Sequence, residues 1–370
     1  MKTTQLPFIQ KLAFVLVVLI SLGYLAILGH SLLAPLLFSF LMALVLLPAA
    51  NFLEHRLRLK RSMSTIICVV LMIIVVSGIM YFIGNQLSAL WADWPLLEKQ
   101  VALSIHNLQD WITTTFNVDS KKQLTYLNES AEKALSTSAV VVATTLATLS
   151  STLLFLGFTL LFTFFLLNYR RILFTFLTSV FDEKHEAKVI DISSQVQSII
   201  KKYISGLFIQ MVIVTALFIT VLSLLGVKYA VLLGVITGVF NVVPYLGIFT
   251  ALLLSTLITF ATAGLGKVVL VLIVYIAVHA VDGNIIMPLV VGSKVKINPL
   301  IAFLGIIIGE MLWGISGMFL CIPYLAIMKI IFDRVEELKP WGRLMGEEET
   351  PYRKRRVYKI TKNITLEEQE

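Results

Sequence analysis

The sequence predicts an all-α, polytopic membrane protein with about eight transmembrane helices, two of them Gly/Pro-broken or re-entrant, and a small external helical insert. Three observations carry that reading. Of the 370 residues 58 % are hydrophobic and only 14 % are charged, and the mean hydropathy is +0.90; that is about ten points more apolar and ten less charged than an ordinary soluble chain. The apolar residues come in successive blocks near the roughly 20 residues that cross a bilayer. The Lys and Arg residues gather at the ends of those blocks, so the net charge of +8 reads as a topology signal and not as a nucleic-acid surface. A soluble enzyme is excluded, because no single globular core hides so much apolar surface.

The elements follow in order. Residues 1-84 hold three spans, at about 12-29, 31-53 and 62-84. Lys2 and Lys11 before the first block resemble a signal peptide, but Gly29-His30-Ser31 is a poor cleavage site and a second block follows at once, so the first block is read as an uncleaved helix. Arg56-Leu57-Arg58-Leu59-Lys60-Arg61 places four positive charges in six residues, which predicts a cytoplasmic loop and a cytoplasmic N-terminus two spans earlier. Residues 85-140 form the external insert, with four Lys/Arg and six Asp/Glu. Its Trp91 and Trp94 suit either an interfacial anchor or an aromatic ligand site. A fourth span occupies 141-168. The segment 169-204 carries six Lys/Arg and places Val189, Ile192, Val196, Ile199 and Ile200 on one helical face, so it is expected as a cytoplasmic amphipathic helix. Residues 205-332 hold spans at about 205-226, 229-263, 267-292 and 300-332, and 333-370 is a charged cytoplasmic tail with the cluster Arg353-Lys354-Arg355-Arg356.

The second half contains a repeat. Residues 238-246 (GVFNVVPYL) and 317-325 (GMFLCIPYL) agree at five of nine positions, and both lie in apolar segments too long for one untilted span. Proline removes a helix hydrogen bond and clashes with the preceding turn, so breaks or hinges are expected at Gly238, Pro244, Gly247, Gly317 and Pro323. Corresponding interrupted segments point to a transport site built from discontinuous helices.

Between Ile204 and Phe332 the only acids are Asp282 and Glu310. Glu310 lies eleven residues past Pro299, roughly 16 Å along a helix and near mid-bilayer if the segment is a simple span. A charge there costs about 3 kcal/mol or more, and such residues face a cavity, a partner or a pathway, or serve as interhelical glue. His279 and Asp282, at i and i+3, share a helical face and form either an ion or proton relay or a locally satisfied pair. Asn241 and Asn284 suit the polar lining of a route or the patching of broken backbone.

Val243-Pro244-Tyr245-Leu246-Gly247, Asp282-Gly283-Asn284-Ile285-Ile286-Met287-Pro288, Ile297-Asn298-Pro299-Leu300, and Gly314-Ile315-Ser316-Gly317 followed by Ile322-Pro323 resemble, in this order and spacing, the autoinducer-2 exporter family. The resemblance implies a multi-pass transporter of the bacterial inner (plasma) membrane, a homo-oligomer, and substrates that include autoinducer-2 and, in some members, sodium or lithium exchanged for protons.

Other classes are weighed on the same residues. Gly314-Ile315-Ser316-Gly317 is like the Gly-x-Ser-Gly of rhomboid proteases, but all five histidines precede Ser316, whereas those enzymes place the catalytic histidine after the serine. There is no zinc motif, no phosphate loop and no cysteine framework, since Cys68 and Cys321 both lie inside apolar runs. The expectation is therefore no enzyme, no catalytic residue, no metal centre, no cofactor and no nucleic-acid partner. The chain is expected to sit in the lipid bilayer with both termini cytoplasmic. It would move a small polar molecule or a monovalent cation by ion-coupled alternating access, with Asp282, Glu310 and His279 in ion coupling. A Na+(Li+)/H+ antiporter and a non-transporting membrane scaffold are the alternatives.

Overall fold

The structure, a computed structural model, describes residues 7–93, 95, 99, 103, 138–242, 246–263, 265–290 and 297–346. Among these there is no strand. Six helices are long and apolar enough to cross a membrane, with three shorter apolar helices beside them, so the chain is a multi-pass membrane protein. Most of the expected external insert, the hinge candidate Pro244 and the basic tail cluster lie outside the described residues.

Helix α1 (Phe8–Leu28) and α2 (His30–His55) meet at Gly29, and α3 (Arg61–Ala92) runs back beside α2. α4 (Ser138–Asn168) packs on α2 and α3, and Arg170 at the start of the short α5 (Arg170–Ser179) reaches Glu54 and Asn51 at the end of α2. Glu54 also accepts from Arg171 at 2.8 Å, with Arg61 at 3.7 Å, so one carboxylate ties three helices at the end that the basic loop marks. This end is called the Arg334 end below, because Arg334 bonds Asp191 there at 2.6 Å.

The central column is α6 (Glu183–Leu224), 42 residues or about 63 Å long. The amphipathic stretch expected over 169-204 is thus two elements: α5, and the first half of a helix that continues unbroken into the fifth span. Val196, Ile200, Tyr203, Gln210, Val214, Phe218 and Leu222 recur at three- or four-residue steps or their multiples and are all buried. The first part of that stripe packs with Leu41, Met42, Leu320 and Ile330, and the second with Leu233, Ala251, Val271 and Tyr275. One helix therefore joins two separate apolar clusters.

The segment 229-263, expected to be Gly/Pro-broken or re-entrant, is a helical hairpin. α7 (Ala230–Phe240) is too short to cross, a turn follows at Asn241 and Val242, and α8 (Leu246–Ala263) packs back on α7. A Cβ on Gly247 would collide with the carbonyl of Phe240, so the two arms touch backbone to backbone just beside the turn. α9 (Leu265–Val281) then starts where α7 started, with Lys267 donating to the Gly226 carbonyl at 2.9 Å. That end also carries Asp93, which accepts from Lys228 at 2.8 Å and from Tyr229. The hydrogen bonds from Lys228 and Tyr229 hold the Asp93 carboxyl below its usual range. This clasp between α3 and the α6–α7 loop is therefore intact above that range and is lost as pH falls through the lowered value.

The last apolar segment doubles back as well. α9 continues through a π-helical turn, Asp282–Ile286, into α10 (Met287–Val290), and α11 (Pro299–Arg334) follows. Within α11 the backbone leaves helical geometry at Trp313 and at Gly314, whose φ is +58°. Residues on either side pair across the turn. A Cβ on Gly309 would lie 2.5 Å from the Gly317 carbonyl, and one on Gly305 would lie 2.5 Å from Cys321 Sγ. The expected hinge at Pro323 is not where this segment bends: Pro323 is buried inside the returning arm, where the helix runs on to Arg334. The turn forms at Trp313–Gly314 because glycine tolerates the positive φ and because Gly309 and Gly317 let two backbones touch. The nine-residue repeat is thus a likeness of sequence whose two copies stand differently in space, the first at a hairpin turn and the second beyond one.

The two hairpins enter from opposite ends. The first opens toward the Asp93 end; the second opens toward the Arg334 end, where Asn298 N bonds the carbonyl of Met345 in α12 (Lys339–Met345) at 2.8 Å. Its tip reaches α1, with Trp313 Nε1 donating to Ala26 O at 2.9 Å. The eight apolar segments are thus six that run from end to end (α1, α2, α3, α4, α6 and α9–α10) and two that double back, the two expected to be broken or re-entrant. The connection near residue 264 lies at the Asp93 end and Asn298 at the Arg334 end, the reverse of what eight single spans would require. In a background with Cys68 and Cys321 replaced by alanine, Gly266→Cys and Leu344→Cys should react with an impermeant thiol reagent from opposite faces of the membrane. Labelling of both from one face would restore the eight-span reading.

Candidate functional site

The two interruptions nearest each other in the chain converge on one carboxylate. Asp282, only 4 % exposed, sits at the first position of the π-helical turn. Gln210 of α6, itself 6 % exposed, donates its amide to both carboxylate oxygens at 2.9 and 3.0 Å. Asn241, at the C-terminal end of α7, donates to Oδ2 at 2.9 Å. A buried carboxylate is tolerated only when its lone pairs are filled, and here two neutral amides fill them. Among the described residues no Lys or Arg bonds it.

Local sequence explains the geometry. Gly283 and Asn284 loosen the helix after Asp282, and a π turn inserts one extra residue per turn, as often occurs at functional sites. Asn284 is exposed and donates to the Ala280 carbonyl at 2.8 Å, so it serves the loosened backbone and does not face Asp282. Gly238 is buried where α7 crosses α6: a Cβ there would run into the Thr215 hydroxyl and lie 3.0 Å from the Met211 carbonyl. That close crossing brings the end of α7, and with it Asn241, against α6 near Gln210.

A narrow cleft opens beside the carboxylate. It is lined by Asn241, Asp282, His279, Thr237 and Tyr275 together with apolar Val214, Phe218, Ile248 and Val278, and its volume of about 10 Å³ is room for roughly one water molecule. His279 faces it and is otherwise exposed. On the wall toward the Asp93 end, Tyr275 Oη lies 2.6 Å from Thr237 Oγ1, 2.6 Å from Ser255 Oγ and 3.1 Å from the Ala251 carbonyl. The Tyr275 ring packs on Phe218, centroids 4.5 Å apart.

Of the residues singled out in the sequence, Asp282, His279, Asn241 and Gly238 come together, and Gly247 closes the hairpin beside them. Glu310 does not join them. It is exposed, three residues before the turn of the second hairpin, and it does not line the cleft. The turn at Trp313–Gly314 comes after Glu310, so the helix from Pro299 to Glu310 is unbroken and the count of roughly 16 Å along it stands; what separates Glu310 from the cleft is the arm that carries it. Gly317 and Pro323 belong to the returning arm of that second hairpin.

Sequence reasoning missed Gln210, Thr237, Ser255 and Tyr275. Gln210 had a usable signal, being the one amide in the span 205-226 and lying in step with buried Val214, Phe218 and Leu222. The hydroxyls had none, because Ser, Thr and Tyr are ordinary in membrane helices and only packing aims them at one another.

A family model described as AI-2E family transporter matches residues 12–337. Relatives that match parts of the chain are named putative transport proteins, three of them as follows. YrrI of Bacillus subtilis (strain 168) is 36 % identical over 106 residues, covering 29 % of this chain and 30 % of that one. YueF of the same organism is 33 % identical over 137 residues, covering 37 % of each. YhhT of Escherichia coli (strain K12) is 27 % identical over 125 residues, covering 34 % of this chain and 36 % of that one. The aligned stretches thus span about a third of the length of these relatives.

The glycine contacts are testable at the site. Gly238→Ala should destabilise the protein by about 1–3 kcal/mol, since the Thr215 hydroxyl must leave its rotamer and the 3.0 Å approach to the Met211 carbonyl eases only if α6 or α7 moves. Gly283→Ala should leave stability unchanged, because a Cβ there meets nothing within 4 Å. Thermal unfolding of both variants in detergent checks the pair; equal melting temperatures would mean that the α6–α7 crossing is not tight.

Proposed function

The chain belongs to the AI-2E transporter family, and from that premise we propose that it is a secondary membrane transporter in which a monovalent cation and a proton compete for the Asp282 carboxylate. The carrying observation is a buried carboxylate held by two neutral amides at the tip of a helical hairpin. Ionised, it has hydrogen bonds but no compensating charge among the described residues, which leaves the place of a counter-charge to a bound cation. Gln210 and Asn241 supply polar atoms to both states, because an amide offers donors to the carboxylate and a carbonyl oxygen to a cation.

The size of the cleft supports a cation over an organic cargo in this conformation. A space of about 10 Å³ suits a dehydrated monovalent ion or one water molecule and is far below the hundreds of Å³ that a small organic ligand occupies. Movement of a small polar molecule coupled to that exchange is the second reading, favoured by the family name alone. His279 faces the same cleft and tunes the exchange from the solvent side.

The two opposed hairpins supply the conformational element. Each is a pair of arms closed on glycines, and each opens to a different end of the bundle, which suits alternate exposure of a site lying between them. The protein would act in the bacterial inner membrane with both termini cytoplasmic. The basic loop 56-61 and the ion pairs of Glu54 then face inward, and the clasp of Asp93 with Lys228 and Tyr229 faces outward.

The test is proteoliposome flux with an entrapped pH dye and an imposed sodium gradient. Asp282→Asn keeps the volume and one accepting oxygen, turns the other oxygen into a donor and cannot change charge, so it should lower sodium-driven proton movement at least about tenfold, the loss of roughly one charge-assisted interaction. Glu310→Gln should retain most of the parental flux. Parental flux in the Asp282 variant, or loss in the Glu310 variant alone, would overturn the assignment. Absence of any flux in the parent protein would favour a scaffold.

A further inference from the structure

Asp282 lies deep in the bundle, and toward the Asp93 end it is covered by the apolar cluster of Phe218, Leu222, Leu233 and Val271. A proton exchanging at Asp282 needs a polar route through that cover. The one polar seam among the described residues there begins with Tyr275, seven residues before Asp282 or about 10 Å along α9. It continues through Thr237 and Ser255 to Thr259, one turn, about 6 Å, further along α8. Ser255 and Thr259 are both completely buried.

The hydrogen bonding of this seam is under-determined in a particular way. The Tyr275 hydroxyl has one proton and three oxygens within reach, at 2.6, 2.6 and 3.1 Å, so it donates to one of them at a time. Thr237 has the same choice, since its hydroxyl lies 2.7 Å from the Leu233 carbonyl and 2.6 Å from Tyr275. A structural pin would have a single best arrangement; these hydroxyls have at least two of similar geometry. Thr259 Oγ1 is buried with no hydrogen-bond partner, although a threonine in a helix can readily bond its own i−4 carbonyl.

We propose that Thr237, Tyr275, Ser255 and Thr259 form a proton relay between Asp282 and the Asp93 end of the bundle. The proposal rests on the reading of Asp282 as the exchanging carboxylate and adds the path by which its proton leaves. The carboxylic O–H of Asp282 breaks as a water in the cleft takes the proton and passes one of its own to Tyr275 Oη. Tyr275 gives its original proton to Ser255 Oγ, and Ser255 gives its own, through one further water, to Thr259 Oγ1 and onward. Each hydroxyl gains one proton and loses one, so one proton leaves Asp282, one emerges beyond Thr259, and no side chain changes charge. Rotation of the hydroxyls, with Thr237 taking the Tyr275 proton or returning one, resets the chain for the next transfer.

Tyr275→Phe keeps the ring against Phe218 and removes only the oxygen; Thr259→Val does the same for the methyl-bearing side chain of Thr259. In proteoliposomes carrying a pH dye, both should slow sodium-driven proton movement at least tenfold, while for Thr259→Val, whose side chain is outside the cleft lining, binding of radioactive sodium to the detergent-solubilised protein stays within twofold of the parent. Thr259→Ser should restore the rate. Should Tyr275→Phe fold poorly, Thr259→Val and its serine rescue carry the decision. Parental proton flux in the hydroxyl variants beside an inactive Asp282→Asn overturns the relay and leaves the Asp282 reading intact. Parental flux in Asp282→Asn overturns the reading on which the relay rests.

Discussion

Much of this architecture depends on satisfying one ionisable side chain in an apolar bundle. Asp282 must have its oxygens filled, and the two amides that fill them come from different elements, Gln210 from the central helix and Asn241 from the end of a hairpin arm. For Gln210 to reach, α6 must carry a polar residue on a stripe that is otherwise apolar. For Asn241 to reach, α7 must stop at mid-depth and lie tight on α6, which the absence of a side chain at Gly238 permits. For Asp282 to present both oxygens, α9 must widen into a π turn, whose loosened backbone Asn284 then serves. A single desolvation cost thereby links a span, a hairpin and a helix defect.

The hairpins answer a related demand. Backbone that leaves helical geometry inside an apolar medium exposes N–H and C=O groups, so it is tolerated only where protein covers it. Both turns meet this by pairing arms at glycines: Gly247 against Phe240 in the first hairpin, Gly309 against Gly317 in the second. Close backbone contact excludes lipid from the turn and leaves little volume for it to collapse into. The same contacts make each hairpin a unit, which is the property a gate requires.

α6 mediates between the two. Its first half packs with α2 and the second hairpin, its second half with the first hairpin and α9, in separate apolar clusters. A tilt of one cluster against the other would pivot on a continuous helix near Gln210, the residue that holds Asp282. The clasp of Asp93 by Lys228 and Tyr229 ties the α6–α7 loop to the end of α3, at the mouth of the first hairpin.

Composition and hydropathy alone determined that this is a helical membrane protein, where its apolar segments fall, and that Asp282 is one of two acids between Ile204 and Phe332, because burial in lipid selects residue type one position at a time. The position of Gly238 and Gly247 beside a break was legible for a similar reason, since a missing side chain acts on its own backbone. The path of the two long segments was not. A 35-residue apolar run reads alike whether it crosses tilted or doubles back; that choice lies in contacts such as Gly309 with Gly317, which pair residues across a turn and leave no periodic mark. The same limit hid that Glu310, on an arm of the second hairpin, does not share the cleft of Asp282. It also hid Tyr275, Thr237 and Ser255, which are ordinary residues in separate helices until tertiary packing sets their oxygens 2.6 Å apart. Local chemistry is written along the chain, whereas the meeting of distant side chains is decided only when helices pack.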